Sequence, residues 1–367
     1  MAFLRFDNMF KEVNGKKRIF YLDQLRALAI MLVVLAHVFR NFSNEFAAGT
    51  WQWYFSTIWV DFAVIGVPLF LMISGCLLLN KDYDLGFFLK RRFSRILIPF
   101  IPWSLLLPFL LMFVNGYDVS LSSYIHIYLD KQFWFIWMLI GVYLFLPVVN
   151  SFVKDMKLRG VEYFLIIWLA VMVLGILHKY PFHNLELSYF AGYVGYFVLG
   201  YYLANKKFNF SDKTMILIGF AIFAAATLFN MHYTFTVGLE KSTVVWYTYL
   251  TICPVLQATG LFLLFKYWAE YCSKHKDTFK NKIYSFFKDS FAFKIIFAIS
   301  TYSYGIFLVH YFPLNTIKYI GHNMIPFFSW NPVIWLPLNW LAVFGIAFLI
   351  VYICNHIPIL REFSGAH

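Results

Sequence analysis

The sequence predicts an all-α integral membrane protein: a bundle of about ten transmembrane helices with both termini cytoplasmic and a central polar cavity. Of its 367 residues, 61% are hydrophobic and only 13% are charged, with a mean hydropathy of +0.68. Soluble domains carry about 25% charged residues. The apolar residues also gather in runs of about 20, the length that crosses a bilayer. This composition excludes an ordinary soluble enzyme, a secreted disulfide scaffold and a free nucleic-acid binder.

The apolar runs divide the chain into one ten-span domain, residues 20–355, between cytoplasmic segments 1–19 and 356–367. The first run is too long for the core of a signal peptide, so we expect it to be retained. The spans are predicted near 20–40, 52–79, 96–115, 133–153, 162–178, 188–205, 214–232, 244–265, 293–314 and 333–355.

Loop charge predicts the orientation of these spans in the plasma or inner cell membrane. Of the 30 Lys and Arg residues, 24 fall in one alternating set of segments, and each intervening loop holds one. The positive-inside rule places the basic set, and therefore both termini, in the cytoplasm. The longest basic segment, 266–294, interleaves seven lysines with aromatic residues, which predicts an amphipathic cytoplasmic segment on the membrane lipids.

The net charge of +12 does not indicate nucleic-acid binding, because the basic residues form short clusters between apolar runs. The four cysteines are far apart and show no CxxC or Cys/His spacing. The sequence therefore predicts no metal site.

Ionisable residues inside a predicted span are costly in lipid, so they are candidates for function. Arg26 and His37 share the first span, eleven residues apart. At 100° per residue they lie on one helix face, about 16 Å apart along the axis. Asp23 is placed to pair with Arg26. The alternative is a snorkelling arginine and a hydrogen-bonded histidine inside the bundle.

The second span supplies Asp61, predicted near the outer end, as His37 is. A carboxylate on an imidazole fixes its tautomer and raises its basicity, so Asp61 is a candidate partner for His37. An Asp at the outer interface is the competing interpretation. Ser74 ends the same span beside Gly75, where small residues commonly allow close helix packing.

Arg92 and Arg95 lie one turn apart where the third span begins. Guanidinium groups fixed in this way suit bidentate capture of phosphate, although arginines here are also common topology signals. In the ninth span, Ser303 and His310 are two turns apart, too far to form a nucleophile–base pair on a straight helix. His310 is instead a candidate to join His37 and Asp61, or an interfacial histidine.

Trp134 opens the fourth span within an aromatic run at the outer interface. An aromatic belt is the simpler interpretation, and stacking on the sugar rings of a glycan acceptor is the alternative.

Together these motifs resemble the acyltransferase-3 family of integral-membrane acyltransferases. The family hallmarks are an arginine and a histidine separated by ten residues in the first span, here Arg26 and His37, and Arg-x-x-Arg at the third, here Arg92 to Arg95. The resemblance covers almost the whole chain from residue 18. Further similar stretches are Phe70 to Gly75, Trp134 to Pro147, Gly195 to Tyr202, and Tyr302 to Gly305 with His310.

The resemblance implies transfer of an acyl group, expected to be acetyl, from cytoplasmic acetyl-CoA to a hydroxyl of an envelope glycan or lipid-linked saccharide. It is closest to the surface-polysaccharide O-acetyltransferase branch. His37 is then the expected general base, with Asp61 or His310 orienting it.

Under the same resemblance, the expected donor and acceptor contacts are Arg26, Arg92, Arg95, Ser74, Tyr302, Ser303 and Trp134. A transporter or flippase is the alternative, since ten spans around buried charges would serve one equally well. A lipid- or ligand-sensing receptor is a third interpretation.

Overall fold

The computed structural model describes residues 10–13, 16–43, 45–115, 120–129, 133–174, 192–241, 249–274, 291–324 and 330–366. Within these residues, eight helices are long and apolar enough to cross a membrane. Large apolar side chains are exposed on the outward faces of these helices, as contact with lipid acyl chains requires. The chain is therefore a helical, multi-pass membrane protein. Ten spans stay a prediction, because parts of the predicted fifth, sixth and eighth spans lie outside the described residues.

A two-stranded antiparallel hairpin precedes the helices, with Phe10 opposite Ile19. The elements in chain order are β1 (Phe10–Val13), β2 (Lys16–Ile19), α1 (Phe20–Ser43), α2 (Trp51–Ala63), α3 (Gly66–Leu78), α4 (Leu85–Asn115), α5 (Leu121–Leu129), α6 (Trp134–Leu174), α7 (Val194–Asn205), α8 (Asp212–Lys241), α9 (Ile252–Lys274), α10 (Phe291–Val309), α11 (Tyr311–Asn323), α12 (Pro332–His356) and a 3-10 turn (Arg361–Ser364).

Helix α1 lies at the centre of the bundle and packs against α2, α3, α9, α10 and α12. Its sequence is apolar on nearly every face, which suits a helix surrounded by other helices. Arg26 and His37 are among its few half-buried positions. Asp23 in the first turn and Arg40 in the last turn complement the helix dipole.

Two of the predicted spans are broken, and a proline follows each break. The second span divides between α2 and α3, where Pro68 has no N–H to bond the carbonyl of Val64. The ninth span ends at Val309, and α11 begins one residue later because Pro313 likewise cannot donate to the Val309 carbonyl. His310 lies at the second break.

Two glycines bring the backbones of α3 and α7 into direct contact. A Cβ on Gly75 would lie 2.0 Å from the Phe197 carbonyl oxygen, and a Cβ on Gly200 would lie 2.0 Å from the Met72 carbonyl oxygen. Only glycine fits at such a crossing, which is the usual reason for small residues between membrane helices. These contacts explain why both glycines sit in the motifs that predicted the family.

Several helix boundaries differ from the prediction. Helix α4 begins at Leu85 instead of residue 96, so Arg92 and Arg95 lie inside it. The predicted fourth and fifth spans share α6, which is interrupted at Lys157, where φ is 54° and ψ is −159°. Helix α9 extends to Lys274 and so includes the first nine residues of the predicted surface segment 266–294.

Lys266 explains the extension of α9. Its side chain is buried, and its ammonium group donates hydrogen bonds to the carbonyl oxygens of Leu203 (2.8 Å) and Lys206 (3.2 Å) at the C-terminus of α7. A cation at this end of a helix satisfies carbonyls that lack a helical donor. Residues 275–290 of the predicted surface segment lie outside the described residues.

The tail after α12 packs against the bundle. Its 3-10 turn places the Phe363 carbonyl oxygen 3.0 Å from the indole nitrogen of Trp103, which donates to it. Ser364 is fully buried, and a Cβ on Gly305 would lie 2.1 Å from its carbonyl oxygen. The tail therefore occupies a cleft between α4, α10 and α12.

Candidate active site

Three predicted arginines converge around one tyrosine from α6. The Tyr143 hydroxyl interacts electrostatically with Arg26, Arg92 and Arg95, which we call the arginine group, and it also lies near the Ser74 side chain. Arg26 and Arg92 are close enough to repel each other. The structure therefore brings together four residues that the sequence placed at the donor site, and it adds Tyr143, which the sequence did not single out.

Two of these arginines lack a carboxylate partner within ion-pair distance among the described residues, Arg26 and Arg92. Asp23 does not form a close ion pair with Arg26, although its carboxylate still attracts the Arg26 guanidinium electrostatically. Asp23 instead accepts a 2.7 Å hydrogen bond from Ser300 and lies 3.7 Å from Arg18, because the β-hairpin brings Arg18 back over the start of α1. Guanidinium groups held together with no carboxylate at ion-pair distance in the described chain are suited to binding an anionic ligand.

A cavity of about 630 Å³ lies beside these arginines. Tyr83 joins the two features, because it lines the cavity and interacts electrostatically with Arg92. Tyr83 also stacks on Phe88 with ring centroids 4.2 Å apart. The cavity is lined by Lys81, Asp82, Tyr83, Asp84, Leu85, Pro147, Asn150, Ser151 and Lys154.

The rim of the cavity is held by two contacts between the 79–84 loop and α6. The Asn150 amide exchanges two hydrogen bonds with the backbone of Lys81, at 2.9 and 3.2 Å. Lys154 donates a hydrogen bond to Asp82, and this lowers the pKa of the Asp82 carboxyl group below its ordinary value. The rim carries two lysines and two aspartates, so its formal charges balance, and the positive charge next to the cavity comes from Arg92 through Tyr83.

His37 and His310 form a hydrogen-bonded pair at the break between α10 and α11. The His310 Nε2 atom lies 3.2 Å from the His37 Nδ1 atom, and His310 Nδ1 lies 2.7 Å from the Phe307 carbonyl oxygen. A carbonyl only accepts, so His310 Nδ1 carries the proton and its Nε2 accepts when the ring is neutral. The hydrogen-bond network thus assigns the proton of neutral His37 to Nδ1 and leaves His37 Nε2 as a basic nitrogen.

An aromatic cluster borders the histidine pair on the side away from Arg26. The Tyr311 ring lies 5.0 Å from His37, and Arg40 interacts electrostatically with both Tyr311 and Tyr249. Trp134 stacks on Tyr249 with ring centroids 5.2 Å apart and an interplanar angle of 21°. Two residues, Tyr249 and Arg40, therefore connect Trp134 to the histidine pair.

Of the two residues expected to orient His37, the structure brings His310 to it and not Asp61. Phe55 and Trp59 of α2 contact Phe39 of α1, whereas Asp61 lies on the other face of α2. Phe39 is itself two residues from His37, on another face of α1. The Asp61 carboxylate accepts a 3.2 Å hydrogen bond from Thr234 of α8.

Tyr302 and Ser303 also make contacts other than those expected of donor-binding residues. The Tyr302 hydroxyl accepts a 3.3 Å hydrogen bond from Asn355, and its ring packs against Phe348. The Ser303 hydroxyl donates to the Ser300 carbonyl of its own helix at 2.8 Å. The hydroxyl of the next tyrosine, Tyr304, donates a 2.8 Å hydrogen bond to the Ile96 carbonyl oxygen of α4 and interacts electrostatically with Tyr143.

Sequence reasoning thus missed Tyr143, Tyr304 and Tyr311. Each of them had a signal in the sequence. Tyr311 directly follows His310, Tyr304 lies one residue after Ser303, and Tyr143 lies in the stretch from Trp134 to Pro147 that resembles the family. That stretch contains many aromatic residues, so its sequence alone did not single out Tyr143.

A family model described as an acyltransferase domain matches residues 19–356, which includes every residue of the arginine group and of the histidine pair. No curated protein and no solved structure matches the chain.

Proposed function

Because the chain belongs to the acyltransferase-3 family, we propose that it transfers an acetyl group from cytoplasmic acetyl-CoA to a hydroxyl of a cell-envelope glycan. The observation that carries this proposal is the placement of the His37–His310 pair and the arginine group on one face of α1. Arg26 and His37 are eleven residues apart, so about 16 Å of helix separates the anion-binding groups from the basic nitrogen.

The donor is proposed to bind at the arginine end of the bundle. Arg92 and Arg95 belong to the set of basic segments that the positive-inside rule places in the cytoplasm, which supports a cytoplasmic location for this end. The phosphates of coenzyme A would contact Arg26, Arg92 and Arg95, and the adenine would enter the cavity beside Tyr83. The pantetheine arm is an extended chain that would run along α1 towards His37.

The reaction follows from the tautomer of His37. His37 Nε2 removes the proton of the glycan hydroxyl while the oxygen attacks the thioester carbonyl carbon. The tetrahedral intermediate collapses, the carbon–sulfur bond breaks, and the thiolate takes the proton back from His37. The products are the O-acetyl ester and the thiol of coenzyme A, so no net proton is released.

His310 is proposed as a positioning residue. Its Nε2 atom accepts a hydrogen bond from the Nδ1–H of His37, which keeps His37 Nε2 unprotonated and aimed in one direction. This is the role that the sequence assigned to Asp61 or His310, and the contact supports His310.

The acceptor is proposed to approach from the aromatic side. Trp134 and Tyr249 present stacked rings of the kind on which sugar rings pack, and Arg40 offers hydrogen-bond donors nearby. A bilayer-embedded site that excludes water also protects the thioester from hydrolysis.

The test is coenzyme A release by the purified full-length protein, with acetyl-CoA and an envelope glycan acceptor, and mass spectrometry of the product. We expect release to depend on the acceptor, and His37→Ala to abolish it while acetyl-CoA still binds. The matched control is His232→Ala, an exposed histidine on α8. Solute flux without a donor would favour the transporter instead, and transfer retained by His37→Ala would refute the assigned base.

A further inference from the structure

Six buried polar side chains lie on α2, α8 and α9, away from the candidate active site, and hydrogen bonds join four of these residues. Thr234 donates to the Asp61 carboxylate at 3.2 Å. The Gln257 amide nitrogen lies 3.2 Å from the Asp61 carbonyl oxygen and 2.9 Å from the Thr227 hydroxyl. We call this the Asp61 cluster, and it consists of Thr57, Asp61, Thr227, Asn230, Thr234 and Gln257.

Helical spacing explains why these residues meet. Thr57 and Asp61 are four residues apart on one face of α2. Thr227, Asn230 and Thr234 follow one another at intervals of three and four, so they line one face of α8. The hydrogen bonds to Thr227 and Thr234 fix that face against α2 and α9, and Asn230 lies between them.

The cluster is buried, and much of its hydrogen-bonding capacity is unused. All six side chains are at most 7% exposed. Across the described part of the chain, no partner bonds the Oδ2 atom of Asp61, the hydroxyl of Thr57 or the Oε1 atom of Gln257. Both polar atoms of Asn230 are also without a partner. Buried polar groups are normally satisfied, because leaving one unpaired costs about 1–3 kcal/mol.

The charge of the cluster is also unbalanced. Asp61 interacts with Thr234, and no Lys, Arg or His of the described chain interacts with its carboxylate. An ionised carboxylate buried without a counter-charge is strongly unfavourable. The cluster therefore needs either a cation or a proton.

We propose that the Asp61 cluster binds one monovalent cation of the size of Na⁺. The available ligands are hard oxygens: the Asp61 carboxylate, the hydroxyls of Thr57 and Thr234, and the amide oxygens of Asn230 and Gln257. One positive charge neutralises the single carboxylate, whereas Ca²⁺ or Mg²⁺ would leave a buried excess charge. A proton on Asp61 would supply one hydrogen bond and leave most of the other oxygens unpaired.

This site is distinct from the proposed reaction site. The Asp61 cluster occupies the face of α2 that meets α8 and α9, and the face that meets α1 carries Phe55 and Trp59. Cation binding would join α2, α8 and α9 into one unit. The proposal does not rest on acyl transfer, so its experiment can fail or succeed independently.

The experiment measures thermal unfolding of the purified full-length protein in NaCl and in choline chloride at one ionic strength. We expect Na⁺ to raise the unfolding midpoint by about 2 °C or more in a saturable manner. Asp61→Asn should abolish this rise. The matched control is Asp82→Asn, which removes a carboxylate from the 79–84 loop. This variant should still show the rise in the unfolding midpoint with Na⁺.

A binding measurement with ²²Na⁺ gives the second readout. We expect saturable binding of one ion per chain, lost in Asp61→Asn. If Asp61→Asn does not fold, Thr57→Val removes one neutral ligand and should weaken Na⁺ binding by about tenfold. Equal midpoints in both salts together with no bound ²²Na⁺ would overturn the proposal and leave a protonated Asp61.

Discussion

The histidine pair and the Asp61 cluster are both buried polar groups beside the central helices, but their hydrogen bonding is opposite. In the histidine pair, three of the four ring nitrogens are assigned a donor or acceptor role, and the fourth is His37 Nε2. In the Asp61 cluster, several polar atoms have no partner among the described residues. The hydrogen bonds of the histidine pair leave a single nitrogen for chemistry. The many unpaired polar atoms of the Asp61 cluster instead suit a bound ligand.

Replacing His37 tests the first half of this comparison and should have the largest effect. We expect His37→Gln to lower kcat by about 10²–10⁴-fold, the usual contribution of a general base. The unfolding midpoint and its dependence on Na⁺ should stay within 1 °C of the parent, roughly the precision of such comparisons. Steady-state coenzyme A release and thermal unfolding measure the two effects, and a Na⁺ response lost in this variant would connect the two sites.

Replacing His310 with alanine should have the next largest effect. Without the acceptor at 3.2 Å, His37 is free to adopt the other tautomer, and we expect kcat to fall by about a hundredfold with KM for acetyl-CoA unchanged. His310→Gln should keep more activity than the alanine variant, because the glutamine amide oxygen can accept a hydrogen bond from the Nδ1–H of His37. No difference between the Gln and Ala variants would contradict the tautomer argument.

Replacing Arg92 with alanine tests donor binding separately from the chemical step. A lost hydrogen bond to a charged group corresponds to a rise of about tenfold to a hundredfold in KM for acetyl-CoA, with kcat nearly unchanged. Arg92→Lys should recover only part, because lysine lacks the planar fork. Arg91→Ala is the matched control, since Arg91 is exposed one residue away. An equal rise in KM for the control would indicate a general surface charge effect.

Replacing Thr234 should have the smallest effect and acts on the Asp61 cluster alone. Thr234→Val removes the hydroxyl that donates to Asp61 while keeping the shape of the side chain. We expect a loss of about 1 kcal/mol in the free energy of unfolding, measured by thermal unfolding in choline chloride. Thr236→Val is the control on the same helix, where the hydroxyl bonds its own backbone. An equal loss in both variants would mean that Asp61 does not need Thr234.

The sequence predicted the class of the fold and one face of the site. Helical periodicity alone aligned Arg26 with His37, and the structure gathers Arg26, Arg92, Arg95 and Ser74 around one tyrosine. The alignment of Arg26 with His37 needed only the spacing within one helix, whereas the convergence of Arg92, Arg95 and Ser74 on Tyr143 depends on how α3, α4 and α6 pack. The donor-binding role of these residues stays a prediction.

Contacts between helices were harder to predict. Asp61 and His37 were expected to meet because both lie near the outer ends of their spans, but depth does not specify which face of a helix meets its neighbour. The same applies to Tyr302, whose hydroxyl bonds Asn355 of α12. The length of α9 was also not predictable, because the hydrogen bond of Lys266 to α7 is a tertiary contact, and with the nearby Glu270 it stabilises a buried lysine.

The helix break at His310 has a consequence for the tautomer of a side chain. His310 lies between α10 and α11, and its Nδ1 atom donates to the Phe307 carbonyl oxygen of the preceding turn at 2.7 Å. The path of the backbone at this break therefore determines which nitrogen of His310 carries the proton, and through the contact with His37 it determines the same for the second ring. Changing the backbone at the break is thus a route to an altered pH response that keeps every titratable residue in place.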